Sequence, residues 1–382
     1  MSKWRRLLLV NLTAPVAALV FAFAVSSIAL LISGNSPITA FARMWEFGTR
    51  LDSIVSMVNK AVPLYLSALA VAIGFKMGLF NIGVEGQYRL AAVVAAAAGA
   101  AVTLPAPLHI LLIIAVAMAV GGVWSGIAGL LKVTRGVHEV ISTIMLNFIA
   151  FNLGAYLFSN YFRERAEEGG AGVQIPKTPE IPESGRFPSL NPLVEAFGFE
   201  LRPGLSLQGF VIIAIIVGIL YWLVVNRTRF GFDLRASGIN APAAQASGVN
   251  AKRMVVRAMV LSGAVAGLVG LSPLLGFFYR YTLDFETGLG FTGIAVALLG
   301  RNHPAGMALG ALLFGFLSRS SQILDLEGIP PEVVVIVQGV VVLSVVVAYE
   351  VVERMVRRQE ARAASQVMGD QPQGPAPAEA AT

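Results

Sequence analysis

The amino-acid sequence predicts an all-α integral membrane protein of about ten transmembrane helices, and three observations carry that prediction. Hydrophobic residues make up 56% of the 382 positions and charged residues only 13%, about half the charge of an average soluble domain. The apolar residues fall into long runs, several of them long enough to span about 30 Å of hydrocarbon. Threading the runs alternately through a bilayer puts most of the 28 Lys and Arg residues on one side, the bias that orients polytopic proteins. The net charge of +6 is therefore read as membrane orientation, and no nucleic-acid partner is expected beside the lipid bilayer. Cysteine is absent, which excludes disulfides, thiolate metal sites and cysteine nucleophiles. His109, His138 and His303 are scattered without zinc-binding spacing, so no metal ligand and no catalytic residue is assigned.

The elements follow in order. Lys3, Arg5 and Arg6 precede an apolar run over 7–32, too long for the roughly 7–15-residue core of a signal peptide, so an uncleaved first span with its N-terminus inside is expected. Residues 34–59 are mixed and polar, with Trp45 as an interface anchor. The second span is read over 61–75, short because Pro63 interrupts its first turns, so part of 53–60 is a candidate to belong to it. The third, alanine-rich, covers 90–104 with its start expected near Gln87, and its small side chains predict a central place in the bundle. Pro105 and Pro107 turn the chain into a fourth span over 108–131, and a fifth covers 140–158. Residues 159–207 hold five prolines between Pro176 and Pro192 and read as a folded external loop. A sixth span (208–225) leads into a basic stretch, 226–257, and a seventh covers 254–278. Spans over 291–299 and 305–317 are short, one of them a candidate for re-entry. The last span covers 333–348. Residues 1–360 thus form one polytopic domain with both termini cytoplasmic. The tail over 361–382, rich in Pro and Ala, is expected to be disordered.

Five spans in each half would orient the halves oppositely, the arrangement of inverted-repeat transporters. The glycine-rich loops over 74–86 and 279–290 occupy matching positions in the two halves. Polar residues inside a membrane are costly and default to functional candidates. Asn81, Glu85 and Gln87 sit among glycines, where backbone can line a cavity; alternatively Glu85 pairs with Arg89 one turn on. Thr143 and Asn147, four residues apart, share a helix face and either bind solute or hold helices together. Gln338 stands on the last span. These six are the candidate pathway residues.

The basic stretch carries six Lys or Arg residues, Arg235 among them, against one acid, Asp233. In its middle the residues spell a short helix. Asn240 suits the N-cap, Pro242 the first turn, Ala243 and Ala244 favour helix, and Gly248 is a left-handed stop. A small helix with little core of its own, in a basic loop, is a docking element or a simple connector. No GxxxxGK[ST] run is present, so no nucleotide site of P-loop type is expected in the chain.

Four blocks then resemble one family. Ala243-Ala244 followed at Gly248 is similar to the EAA-type loop of ATP-binding-cassette importer permeases, with Pro242 where glutamate is usual. GFDLRASGINAPAAQASGVN (231–250) resembles the corresponding loop of the simple-sugar and nucleoside permeases. GFKMGLFNIGVEGQ (74–87), GVHEVISTIMLNFIAFNL (136–153) and GFTGIAVALLGRNHPAGMALGALLFG (290–315) look like further signatures of the nucleoside branch. The resemblance implies a permease subunit in a bacterial cytoplasmic (inner) membrane, taking up a nucleoside by alternating access. It implies partner ATPase subunits that hold ATP and Mg, with no cofactor in this chain. It also implies a second permease chain and an extracytoplasmic substrate-binding lipoprotein. Arg235, Asn240, Pro242, Ala243, Ala244 and Gly248 would couple the chain to the ATPase. A simple-sugar permease of ribose or galactose type and an ion-coupled secondary transporter are the alternatives.

Overall fold

The computed structural model describes residues 14–164 and 176–326, with 328–329, 335–340, 343–344, 347, 351 and 354–355. In chain order the helices are α1 (Ala14–Ile32), α2 (Pro37–Gly48), α3 (Leu51–Lys76), α4 (Val84–Ala101), α5 (Ala106–Arg135), α6 (Glu139–Leu157) and α7 (Asn191–Ala196). They continue with α8 (Phe210–Arg227), α9 (Arg229–Ile239), α10 (Ala241–Ala246), α11 (Ala251–Gly267), α12 (Leu289–Leu299) and α13 (Pro304–Leu326). A π turn, Phe158–Phe162, extends α6, and short turns carry α11 on to Phe278. Among the described residues there is no strand, only two isolated bridges, Lys177 to Thr282 and Ser189 to Gln208.

Six helical segments are long and apolar enough to cross a membrane: Leu51–Lys76, Ala106–Arg135, Glu139–Phe162, Phe210–Arg227, Ala251–Phe278 and Pro304–Leu326. The count reaches seven if the pair Val20–Ile32 and Pro37–Gly48 forms one span. The chain is an all-α, multi-pass membrane protein. Several expected boundaries move. The second span is 26 residues long and continues through Pro63, its polar residues Ser56, Asn59 and Lys60 lying on one face of the same helix beside a pocket. The supposed loop over 34–59 is therefore mostly helical, and Trp45 lies 6.4 Å from the Phe316 ring. The third span starts at Val84, and the ninth runs on to Leu326. The last span falls largely, and the tail wholly, outside the described residues.

The chain divides into two compact units. In the unit of residues 1–40 and 329–382, Ala22, Ser26 and Leu30 form a buried stripe on α1 at four-residue spacing. In the unit of residues 41–328, α3 is the axis, with nearly every side chain from Ala61 to Gly74 buried. The loop over 176–190 lies along the end of α11: Thr178 donates to the Tyr281 carbonyl, Ile181 to that of Tyr279 and Phe187 to that of Leu275.

The closest helix pair is α5 on α11, where glycine lets backbones touch. A Cβ on Gly263 would stand 2.2 Å from the Gly121 carbonyl oxygen. The methyl of Gly263→Ala therefore has nowhere to go, since the neighbouring atom is backbone. Overpacking of this kind costs about 1–3 kcal/mol, and the variant is expected to show a lower thermal midpoint in detergent. An unchanged midpoint would mean the two helices separate at little cost.

Candidate functional site

Two polar places in the larger unit matter, and the loop over 77–83 joins them. The first is a buried node at the start of α4. Glu85, in the first turn of α4, is 2% exposed. Its Oε1 accepts from the Gly288 N–H at 2.8 Å, its Oε2 from the Gly290 N–H at 2.8 Å, and the Tyr88 hydroxyl stands 3.0 Å from Oε1. Gly288 and Gly290 open α12, so the carboxylate satisfies N–H groups that a helix start leaves without partners. The positive ends of α4 and α12 both converge on it, which offsets the cost of burying a charge. Close approach requires glycine here: a Cβ on Gly290 would lie 2.5 Å from the Glu85 nitrogen. Arg89 does not pair with Glu85. Its guanidinium stands 4.7 Å from the Phe151 ring centroid instead.

Around the carboxylate the other candidates interlock. Asn81 and Gln87 exchange amide hydrogen bonds of 3.1 and 3.0 Å. The Asn81 amide also donates to Ser262 Oγ at 2.9 Å, and Ser262 donates to the Ala70 carbonyl at 2.7 Å, tying α3, α4 and α11 together. Asn147 accepts from the Gly86 N–H at 2.9 Å and donates to the Ile82 carbonyl at 3.0 Å. Thr143 donates to the Glu139 carbonyl of its own helix at 2.7 Å. Five of the six candidate pathway residues thus meet in one buried cluster whose polar atoms are partnered by protein. Gln338 lies in the other unit, half-buried on the helical stretch 335–340. Tyr88 and Ser262 were missed. Tyr88 sits beside the quoted run, whereas Ser262 is one hydroxyl in an apolar span with no signal of its own.

The depth of the node follows from helix rise. Asn147 is about 12 Å along α6 from its first residue, and Ser67, against which Gly293 packs, is about 14 Å from the end of α3. Both lie well inside their helices, away from the ends. From there α4 runs to the end of the bundle holding Ile181 and His109, and α12 to the end holding Tyr221, whose hydroxyl donates to the Asn302 carbonyl. The two glycine-rich loops read as matching positions are therefore in contact.

The second place is the basic stretch. Thr228 caps α9 by accepting from the Gly231 N–H, Asn240 caps α10 by accepting from Ala243 at 3.0 Å, and Asn250 caps α11. Pro242 stands in the first turn of α10 and Gly248 has φ +84°. Ala244 is buried while Asn240, Pro242, Ala243 and Gly248 are exposed. Arg235, half-buried, donates to the Val225 carbonyl and closes the end of α8. Leu234 packs among Met77, Leu79, Ala128, Leu146, Met254 and Met259, which fastens α9 to four neighbouring elements. Gly238 lies against the end of α3, where a Cβ would meet the Lys76 oxygen at 2.7 Å. An open apolar groove of about 240 Å³ runs between α9 and α10 past Phe232 and Ile239. Among the described residues, no group of three or more His, Cys, Asp or Glu could hold a metal.

Comparison with known proteins adds the following. The family described as branched-chain amino acid transport system / permease component matches residues 53–346. The chain is 36% identical over 345 residues to the guanosine ABC transporter permease protein NupP of Bacillus subtilis, covering 89% of this chain and 94% of that one. It is 32% identical to the nucleoside ABC transporter permease protein NupB of Lactococcus lactis, covering 92% and 95%. It is 31% identical to the glucose ABC transporter permease protein TsgB13 of Haloferax volcanii, covering 87% and 86%. No solved structure matches the chain.

Proposed function

Since the chain belongs to the branched-chain amino acid transport system / permease component family, we propose that it is the membrane-spanning subunit of an ATP-binding-cassette importer that moves a nucleoside inward by alternating access. The observation that carries this reading is the element formed by α9 and α10. It is a capped, exposed helix pair with almost no core of its own, bolted through Leu234 and Gly238 to the ends of four other elements. Such a part transmits a push better than it stabilises a fold.

In this reading α9 and α10 lie on the cytoplasmic side of a bacterial inner membrane, with both termini on that side. ATPase subunits, carrying ATP and Mg, seat against Asn240, Pro242, Ala243 and Gly248. Arg235 keeps α9 aligned with α8. The push passes through Gly238 to the end of α3 and the loop over 77–83, and from there through Asn81 to α11 and through Glu85 to α12, all by direct contact. Asn81, Glu85, Gln87, Thr143 and Asn147 thereby set the relative positions of the spans along the pathway. A second permease chain completes the pathway, and a lipoprotein delivers solute from outside, where the loop over 159–207 faces it. The similarity to a guanosine and a nucleoside permease over about nine-tenths of the chain supports the solute.

The test is co-purification of the tagged chain with its ATPase, then hydrolysis in lipid with the binding protein and guanosine, against Gly248→Arg. A side chain at φ +84° costs about 1–2 kcal/mol but meets no atom within 4 Å, so the fold persists while docking is obstructed. Solute-stimulated hydrolysis is expected to fall several-fold. Guanosine should out-compete glucose for uptake; the reverse would transfer the chain to the sugar permeases. Solute movement by the chain alone, driven by an ion gradient, would replace the importer with a secondary transporter.

A further inference from the structure

At the end of α3 remote from α9 lies a pocket of about 270 Å³, close to the lower end of small-molecule sites. One wall is a stripe of α3, Ser56, Asn59, Lys60 and Pro63, at the three- and four-residue spacing that puts side chains on one face. Lys60 is about 24 Å along the helix from Lys76. The facing wall is Phe277, Phe278 and Glu286.

Two features mark this pocket as built for something. The first is spare polar capacity of both signs. Among the described residues neither the Lys60 ammonium nor the Glu286 carboxylate has an ion-pair or hydrogen-bond partner, although they line the same cavity. Lys60 stands half-buried on a membrane helix, where an unpaired charge is costly and defaults to function, and Glu286 stands on the segment leading into α12. Asn59, by contrast, is already spent: it donates to the Ser206 carbonyl at 2.7 Å and accepts from the Gln208 N–H at 2.9 Å, a rigid wall. The second feature is aromatic surface. Phe277 and Phe278 are 59% and 42% exposed, with ring centroids 5.0 Å apart and edge to face. Side by side, a cation with three donors, a carboxylate that accepts only, and two open rings suit a neutral heteroaromatic ring carrying a sugar.

Building on the nucleoside reading above, we propose that this pocket is the outer solute subsite. The Glu286 carboxylate accepts from the two adjacent sugar hydroxyls, Lys60 donates to an acceptor on the base, and Phe277 and Phe278 cover the base. The pocket also touches the node. The Tyr88 hydroxyl lies 2.8 Å from the Glu286 carbonyl and 3.0 Å from the Glu85 carboxylate, so occupancy beside Glu286 bears on the group that holds α12.

The experiment measures initial uptake of guanosine and of 2′,3′-dideoxyguanosine by the reconstituted complex, for wild type, Glu286→Gln and Lys60→Met. Assembly is checked by size-exclusion chromatography. Wild type is expected to show a KM at least tenfold higher for the dideoxy compound. In Glu286→Gln the guanosine KM rises about tenfold and the difference between the two solutes shrinks to less than threefold, with kcat changed far less. Lys60→Met is expected to raise both KM values together. A merely structural role for Glu286 would not remove discrimination between solutes that differ only in hydroxyls. If wild type takes up guanosine but both variants keep its KM values, the subsite is wrong and the nucleoside reading stands. If wild type takes up no nucleoside, both fall. Should Glu286→Gln fail to assemble, Lys60→Met, at a half-exposed position, decides: a joint rise of both KM values supports the subsite, and unchanged values overturn it.

Discussion

Glu85→Ala is expected to leave the protein barely able to assemble, with uptake below a tenth of wild type. The substitution removes the acceptor of the Gly288 and Gly290 N–H groups at once, while the Tyr88 hydroxyl keeps the Glu286 carbonyl. Each buried donor left without a partner costs about 1–3 kcal/mol. The loss is enough to lower the thermal midpoint by roughly 10 °C. Glu85→Gln is a sharper probe because its volume is unchanged. Its amide oxygen accepts one of the two N–H groups while its NH₂ faces the other, so about half the loss should persist. Tyr88→Phe removes a single hydroxyl and should cost about 1 kcal/mol. Thermal melts of the detergent complex and uptake in liposomes read both quantities. A Glu85→Ala protein that melts and transports like wild type would show that α12 keeps its place by apolar packing alone.

Gly238→Val is expected to disconnect hydrolysis from transport. Its Cβ would stand 2.7 Å from both the Lys76 oxygen and the Met77 carbonyl carbon, atoms of the backbone that no rotamer change can clear. α9 must therefore lift away from α3, while the exposed face of α10 keeps its capped geometry. The complex with the ATPase should still form, and solute-stimulated hydrolysis should drop at least tenfold. Loss of the ATPase from the purified complex, or full stimulation, would each show that the contact between α9 and α3 does not carry the push.

The parts of the molecule that could be read from sequence are those whose causes are local. α10 is specified within nine residues: a cap at Asn240, a proline in the first turn and a left-handed glycine at Gly248, and the structure places all three as their chemistry requires. The long apolar spans were legible for the same reason, since their length is their signal. The boundary near Pro63 was open in the sequence because polar Asn59 and Lys60 read equally as loop or as the polar face of a helix, and they are the face turned toward a pocket. Glu85 stood out as a costly charge, yet its partners are backbone N–H groups of a distant loop, which have no side-chain signature. Lys60 and Glu286 were invisible as a pair because nothing local relates residues on opposite sides of a cavity.

The separation between Glu85 and its partners has a consequence for how the chain is made. Gly288 and Gly290 lie 203 and 205 residues further on. At about 5–20 residues per second, a ribosome needs roughly 10–40 s to deliver them after α4 has been synthesised. Through that interval the carboxyl group belongs to a segment already bound for the lipid. The insertion machinery must then keep the first turn of α4 in a wet environment until the glycines emerge. Nascent chains stalled before residue 288 are accordingly the ones that membrane quality-control proteases should remove, and pausing translation at that point should shorten the lifetime of the fragment more than pausing a few dozen residues later.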